Sequence, residues 1–358
     1  MKINGQTFRT IWPNDNETVE VIDQIRLPHE FTTVSLKTAE ECAEAIRSML
    51  VRGAPLIGAT AAYGMALAMK VDPSSQNIIA SHDMLLATRP TAVNLRWALE
   101  RMSKALTPAR HEERFALAWA EAAKICDEDV EICRRIGENG LKIFREIAAM
   151  NNGRLNVLTH CNAGWIACVD WGTALAPIYM AHNEGIDVHV WVDETRPRNQ
   201  GAALTAYELG AHGVPHHIIA DNAGGLLMQQ GKVDVCIVGT DRVTKNGDVA
   251  NKIGTYLKAL AAYDTGVPFY VALPSTTIDW TMAKGSDIPI EEREEAEVLQ
   301  MRGRLDGKVV TVDVGAPGSP AANPGFDITP ARLITGLITE KGVCSASEAG
   351  LKGLFSAA

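Results

Sequence analysis

The sequence predicts an α/β protein of two domains: a smaller, mainly helical N-terminal domain with a short β element, then a mostly parallel sheet domain. Three observations predict this. The hydrophobic period changes from helical to strand-like near Met150-Asn151-Asn152-Gly153. Beyond that point short β-branched runs alternate with stretches mostly long enough for a helix. Polar and reactive residues gather after those runs. At 358 residues the chain has room for two or three domains at about 150 residues each. The change of period divides it into 1–150 and 151–358.

Taken in order, residues 7–35 are strand-like, with Thr18-Val19-Glu20-Val21-Ile22 as the best segment. Thr38-Ala39-Glu40-Glu41 has the form of a capping box, in which Thr38 caps and Glu41 reaches back. Cys42, Ala45, Ile46, Met49 and Leu50 then fall on one helical face. Further helices are expected over 91–106, 111–126 and 128–150. Strands are expected at Leu155–Thr159, Val188–Val192, His217–Ala220, Val235–Val238, Phe269–Ala272 and Val309–Val312. Right-handed βαβ units follow from that alternation, so 151–358 reads as Rossmann-like.

Composition excludes several classes. With 46% hydrophobic and 22% charged residues the chain is ordinary globular material. Against 43 Asp+Glu stand 34 Lys+Arg, a net charge of −9 with no basic cluster, so no nucleic-acid partner is expected. The apolar run Leu56–Met69 is short and mixed, so no membrane span is expected, and Met1–Gly5 shows no signal peptide. Seven cysteines without a CxxC pair suit reduced thiols in the cytoplasm.

Ligands of open parallel sheets bind beyond the carboxyl ends of the strands. Here those ends carry Thr159-His160-Cys161-Asn162-Ala163-Gly164, Asp193 to Gly201, Asp221-Asn222-Ala223-Gly224, Gly239-Thr240-Asp241-Arg242 with Asn246 to Gly254, and Leu273-Pro274-Ser275-Thr276. Cys161 is a reactive thiol, if a helix begins after Asn162-Ala163-Gly164 and lowers its pKa, or else a small buried hydrophobe. Cys168 would lie two turns along that helix, as packing. Asp241 is a general acid or base, or a cap or partner of Arg242. Asp248 is the weaker candidate, since Asn246-Gly247-Asp248 also reads as a turn. Anion-binding candidates are Arg52 in Arg52-Gly53-Ala54-Pro55, Arg89, and Lys252 near a helix start, each alternatively a solvated surface cation. The chain has neither GxxxxGK[ST] nor GxGxxG after a strand, no zinc spacing and no GxSxG, so ATP, nicotinamide, metal and serine-hydrolase readings lack support.

Together these segments resemble the methylthioribose-1-phosphate isomerase family, aldose–ketose isomerases of methionine salvage related to the regulatory subunits of eukaryotic initiation factor 2B. The resemblance also rests on Ile22-Asp23-Gln24 with Leu27-Pro28, Val51 to Gly58, Thr88 to Leu95, Pro289 to Arg293 and Asn323 to Pro330, and runs from about residue 20 to 340. It implies that Cys161 and Asp241 are the catalytic pair, and that Arg52, Gly53, Ala54, Arg89, Gln200, Asn251 and Lys252 contact a sugar 1-phosphate. It further implies a cytoplasmic homodimer with no metal or organic cofactor. In the reaction implied, Asp241 serves ring opening and oxygen proton transfer and Cys161 serves hydrogen transfer near C1 and C2, or the two roles are exchanged. Two alternatives remain: an isomerase of 5-deoxyribose 1-phosphate or another 5-substituted ribose 1-phosphate, and a non-catalytic regulatory or assembly protein like the initiation factor 2B subunits.

Overall fold

The fold is taken from a computed structural model, which describes residues 1–3, 5–89 and 92–355. A short antiparallel pair, Lys2–Ile3 with Gln6–Thr7, is followed by a three-stranded antiparallel sheet, β1 (Ile11–Pro13), β2 (Val19–Ile22) and β3 (Thr33–Leu36). Five helices follow: α1 (Ala39–Arg47), α2 (Ala54–Val71), α3 (Ser75–Leu86), α4 (Val93–Leu106) and α5 (Arg114–Met150). Thr38 caps α1 as expected, its hydroxyl accepting from Glu41 N at 3.1 Å. The Glu41 carboxylate reaches back one residue further than a capping box requires, to Lys37 N at 2.5 Å.

Two expectations change here. The segments 111–126 and 128–150 form one helix of 37 residues, because neither Gly nor Pro interrupts the chain around Asp127. The apolar run around Leu56–Met69 extends to an 18-residue helix, long and apolar enough by composition to cross a membrane. In this fold α2 is instead the central core helix, packed on α1, α4 and α5, with Leu56, Met65 and Leu67 wholly or almost wholly buried.

After β4 (Arg154–Thr159) the chain alternates: α6 (Ala176–Asn183), β5 (Asp187–Asp193), α7 (Ala206–His212), β6 (His216–Ile219), α8 (Ala223–Gln229), β7 (Val235–Val238). A hairpin of β8 (Arg242–Thr244) and β9 (Val249–Lys252) leads to α9 (Thr255–Thr265) and β10 (Phe269–Ala272). Then come β11 (Gln300–Leu305), β12 (Lys308–Asp313), β13 (Phe326–Thr329), β14 (Gly336–Thr339) and β15 (Gly342–Cys344). The main sheet has the order β15-β14-β10-β7-β4-β5-β6, parallel except for β15.

Period-two side chains divide this sheet between two apolar layers. Val157, Val190 and Ile237 meet Phe144 of α5, Ile178 of α6 and Leu209 of α7 on one face. Leu158, Val238 and Val271 meet Met228 of α8 and Ala259 and Ala262 of α9 on the other. Helix α5 joins the two halves of the chain, giving Ala118, Ala122 and Ile125 to the helical core and Ile136 and Phe144 to the sheet.

The run Val309–Val312 does not enter this sheet. It forms β12, which pairs only with β11 as a largely exposed hairpin, and the sheet is completed by β14 and β15 instead. β-Branched composition favours an extended backbone without choosing its partner.

Candidate active site

The chain leaves β4 towards β5 and β6 on one side, then crosses to β7 on the other side of β4. The strand order therefore reverses between β4 and β7, which pair in parallel through Val157–Val235 and Leu158–Cys236. Connections diverge there and leave a crevice beyond the strand ends. Cys161 follows β4, and Asp241 follows β7. A cavity of about 60 Å³ at this point is lined by Cys161, Asp241, Arg52, Gly53, Ala54, Arg89, Gln200, Asn251 and Lys252 together. Cys161, Asp241 and the seven expected contact residues thus line the same crevice, whereas Asp248, the weaker acid–base candidate, does not. Arg89 is described, whereas Pro90 and Thr91 of its motif lie outside the described residues.

Cys161 sits in the left-handed region, φ 66°, and is 8% exposed. Its backbone N–H donates to Thr195 Oγ1 at 2.8 Å, and its Sγ lies 3.3 Å from Gln200 Oε1, an acceptor. No helix begins after it: a short turn at Trp165–Ala167 follows, and α6 starts only at Ala176. The expected helix dipole is therefore missing. Burial pushes the thiol up, against the opposing pull of the Arg52 and Lys252 charges. Cys161 is held as a neutral S–H donor rather than a thiolate. Cys168 lies in a loop instead of along that helix, where its thiol is fully buried beside Cys133.

Asp241 is partly buried, its backbone N–H bonded to Ala250 O at 3.0 Å across the start of the β8–β9 hairpin. Arg242 turns to Asp279, Nη1 to Oδ2 3.4 Å. The Asp241 charge instead raises Arg52 and Lys252, both of which burial lowers. Asp248 is structural: its carboxylate accepts from Gly285 N and Ala331 N, each at 2.9 Å, and these bonds hold it below the ordinary carboxylate range.

The cationic wall comes from several elements. Arg52 precedes α2 and is 7% exposed. Its Nη1 and Nη2 donate to Asn162 Oδ1 at 2.5 Å and Asn162 O at 2.7 Å. Lys252 ends β9, its Nζ 2.9 Å from Gly325 O and 4.4 Å from the centre of the Phe326 ring. Arg89 pairs with Glu291 at 3.5 Å, while its buried Nε has no hydrogen-bond partner among the described residues. Gly53 caps α2 at φ 99°, and a Cβ there would fall on the backbone of Ala167. The N-terminus of an 18-residue helix, Gly53 to Pro55, thus lines the same cavity as Arg52, Arg89 and Lys252, an arrangement suited to an anion.

Sequence reasoning missed Asn162 as the partner of Arg52, and Thr277, Phe326 and Arg293, which also line the cavity. Arg293 belongs to a chain of pairs, Arg89–Glu291–Arg293–Glu297–Arg198. Its position within Pro289–Arg293 was the only signal, and no local pattern in that segment reports where it folds. A second cavity of about 330 Å³ adjoins the first and shares Met49, Arg52 and Gln200 with it.

Among the described residues, two groups bring three metal-ligating atoms within 4.8 Å. In one, His160, Asp193 and Asp221, the Lys258 ammonium already lies 3.2 Å from Asp193 Oδ2 and donates to Asp221 O, occupying the place of a cation. In the other, Asp129, Cys133 and Cys168, the carboxylate accepts from Val169 N at 2.7 Å.

Residues 50–346 match the model of the initiation factor 2 subunit family. The chain is 65% identical over 99% of its length to a methylthioribose-1-phosphate isomerase of Methylorubrum extorquens, 98% of which is covered. It is similar in structure to 5-methylthioribose 1-phosphate isomerase of Pyrococcus horikoshii OT3, with a TM-score of 0.85, 40% identity and 100% of each chain covered. It is also similar to the translation initiation factor eIF-2B subunit delta of A. fulgidus, with a TM-score of 0.81 and 37% identity over 98% of this chain and 100% of that one.

Proposed function

The chain belongs to the initiation factor 2 subunit family, and from that membership we propose that it is the aldose–ketose isomerase that converts 5-methylthioribose 1-phosphate to 5-methylthioribulose 1-phosphate in methionine salvage. The observation that carries this reading over a non-catalytic assembly role is the crevice between β4 and β7, where a thiol and a carboxylate face buried cations and a helix N-terminus. An assembly protein gains nothing from burying Arg52 and Lys252 at that cost in desolvation.

In this reading residues 1–150 supply phosphate contacts: Arg52, the N–H groups of Gly53 and Ala54, and Arg89. Residues 151–358 supply the chemistry, with Lys252 on the phosphate and Gln200 and Asn251 on sugar hydroxyls. A sugar phosphorylated at C1 has no free aldehyde, so the ring must open first. The buried S–H favours the exchanged assignment of roles. Cys161 gives its proton to the ring oxygen as the bond from C1 to that oxygen breaks. Asp241 takes the proton from C2, forming an enol phosphate, and returns it to C1. The thiolate then takes the C2 hydroxyl proton as the ketone forms, which restores both groups. In the hydride variant, hydrogen passes from C2 to C1 directly and the thiolate again takes the hydroxyl proton. General acid–base help of this kind is typically worth about 10²–10⁴-fold. The enzyme acts in the cytoplasm as a homodimer.

The test is turnover of methylthioribose 1-phosphate and 5-deoxyribose 1-phosphate side by side in deuterated water. Turnover of the first is expected, with kcat/KM above that of the second. Differences at an apolar 5-substituent are worth about 1–3 kcal/mol, so both sugars are substrates. Deuterium at C1 would identify the proton path. No turnover of either sugar would overturn the reading.

A further inference from the structure

Glu208 on α7 is fully buried and has no part in the chemistry above. Its carboxyl meets donors on every side. Oε2 accepts from Trp165 N and from the Tyr179 hydroxyl, each at 2.8 Å, and Oε1 accepts from Asn162 Nδ2. The orientation of that amide is not free, because Asn162 Oδ1 accepts from Arg52 Nη1 at 2.5 Å. Asn162 thus stands between a buried guanidinium and a buried carboxylate, its oxygen to one and its nitrogen to the other.

We propose that Glu208 is a positioning residue, which acts through Asn162 to aim the Arg52 guanidinium at the substrate phosphate. The inference rests on the isomerase reading and on Arg52 as its anion contact. The ionised carboxyl accepts from all three donors at once, and a protonated one still accepts from Trp165 N and Asn162 Nδ2 when the Tyr179 hydroxyl turns to receive its hydrogen. A carboxamide at 208 cannot keep both of those fixed donors. With its nitrogen at Oε2 it opposes Trp165 N–H. With its nitrogen at Oε1 it opposes Asn162 Nδ2, and the Asn162 amide must turn over, which sets its nitrogen against Arg52. Water cannot mend the fault, because the carboxyl is packed so closely on the 162–165 loop that a Cβ at Gly164 would overlap it. The error is therefore passed along the chain of bonds to Arg52. If Glu208 merely tied α7 to the loop, its loss would lower stability and leave the guanidinium where it is.

The experiment compares Glu208→Gln with the wild-type enzyme, alone and in an Arg52→Ala background. It reads inorganic phosphate binding by calorimetry, steady-state turnover of methylthioribose 1-phosphate, and thermal unfolding. Phosphate Kd and substrate KM should each rise about tenfold or more, with kcat little changed, as when one charge-assisted contact is lost. In the Arg52→Ala background the second substitution should add nothing further. An unchanged phosphate Kd, or an equal effect in both backgrounds, would overturn the proposal. Should Glu208→Gln fail to fold, Glu208→Asp keeps the charge but withdraws it from Asn162. It should weaken phosphate in the same direction, and a wild-type Kd would sink the idea. Phosphate binding is read without turnover. A wild-type enzyme that binds phosphate but does not isomerise the sugar would overturn the isomerase reading, while the coupling between residues 52 and 208 would stand or fall on phosphate alone.

Discussion

Cys161 and Asp241 stand beyond the carboxyl ends of neighbouring parallel strands, β4 and β7, at the point where the strand order of the sheet reverses. Neither residue is near the other in the chain. The sheet brings them to one crevice because successive connections from β4 and into β7 run to opposite sides. Arg52, Gly53 and Ala54, at the start of α2, line the same crevice from the helical half.

Replacing the thiol should act on the chemical step. Cys161→Ser should lower kcat about 10²–10⁴-fold, the usual worth of a positioned acid or base, while phosphate binding stays near wild type. Near-normal turnover would remove Cys161 from the mechanism. Because burial raises this thiol, its alkylation by iodoacetamide should be slow at neutral pH and accelerate well into the alkaline range. Fast labelling at pH 7 would mean a thiolate, and would restore the helix-dipole expectation that the fold does not support.

Arg52→Ala should act on binding. A hydrogen bond to a charged group is worth about 1.5–3 kcal/mol, so KM should rise by roughly one to two powers of ten, and kcat should change less. An unchanged KM would take Arg52 out of the site. Loss of folding is a separate outcome, visible in the unfolding curve, because the substitution strands Asn162 Oδ1.

How much of this was legible in the sequence depends on how local the cause is. Val235–Val238 and Phe269–Ala272 were found to the residue, since a buried parallel strand is a continuous apolar run between breakers. The strand-end loops were found because polar and reactive residues gather there in successive units. The helix expected after Cys161 is absent because Gly164 bridges to Gly172 and the intervening chain turns back on itself, a pairing that no local propensity encodes. β14 was overlooked because it opens on a glycine, and β12 was placed in the wrong sheet because its partner is decided by the rest of the fold. No local pattern marks Glu208, or Asn162 as the link between it and Arg52. Their roles come from contacts 110 and 46 residues distant.

The close approach of Gly53 to Ala167 should make the phosphate cradle intolerant of a single methyl group. Gly53→Ala places a Cβ on the Ala167 backbone, at a φ of 99° that L-residues rarely adopt. Either α2 or the 165–168 turn must shift, and both carry walls of the cavity. Phosphate affinity and melting temperature should therefore fall together. A variant with wild-type affinity would show that the helix N-terminus is not part of the anion site.

Asp129 gives the fold a pH dependence of definite sign. Burial raises its pKa from 3.8 to about 7, although its carboxylate accepts from Val169 N at 2.7 Å. Between those values the native protein keeps a proton that the unfolded chain has released. The unfolded state binds fewer protons in that window, so stability falls as pH rises from about 4 to about 7, and the full cost is present above pH 7. The cost for this one group is of the order of 4 kcal/mol. Glu208, raised to about 7 by the same cause, adds a fall of the same sign. Asp129→Asn keeps the acceptor for Val169 and removes the titration. Urea unfolding at a series of pH values should show the variant more stable than wild type at pH 8, with a shallower fall between pH 4 and 7. A variant that is less stable at pH 8 and keeps the full slope would mean that Asp129 is ionised at little cost, held by bonds stronger than its burial.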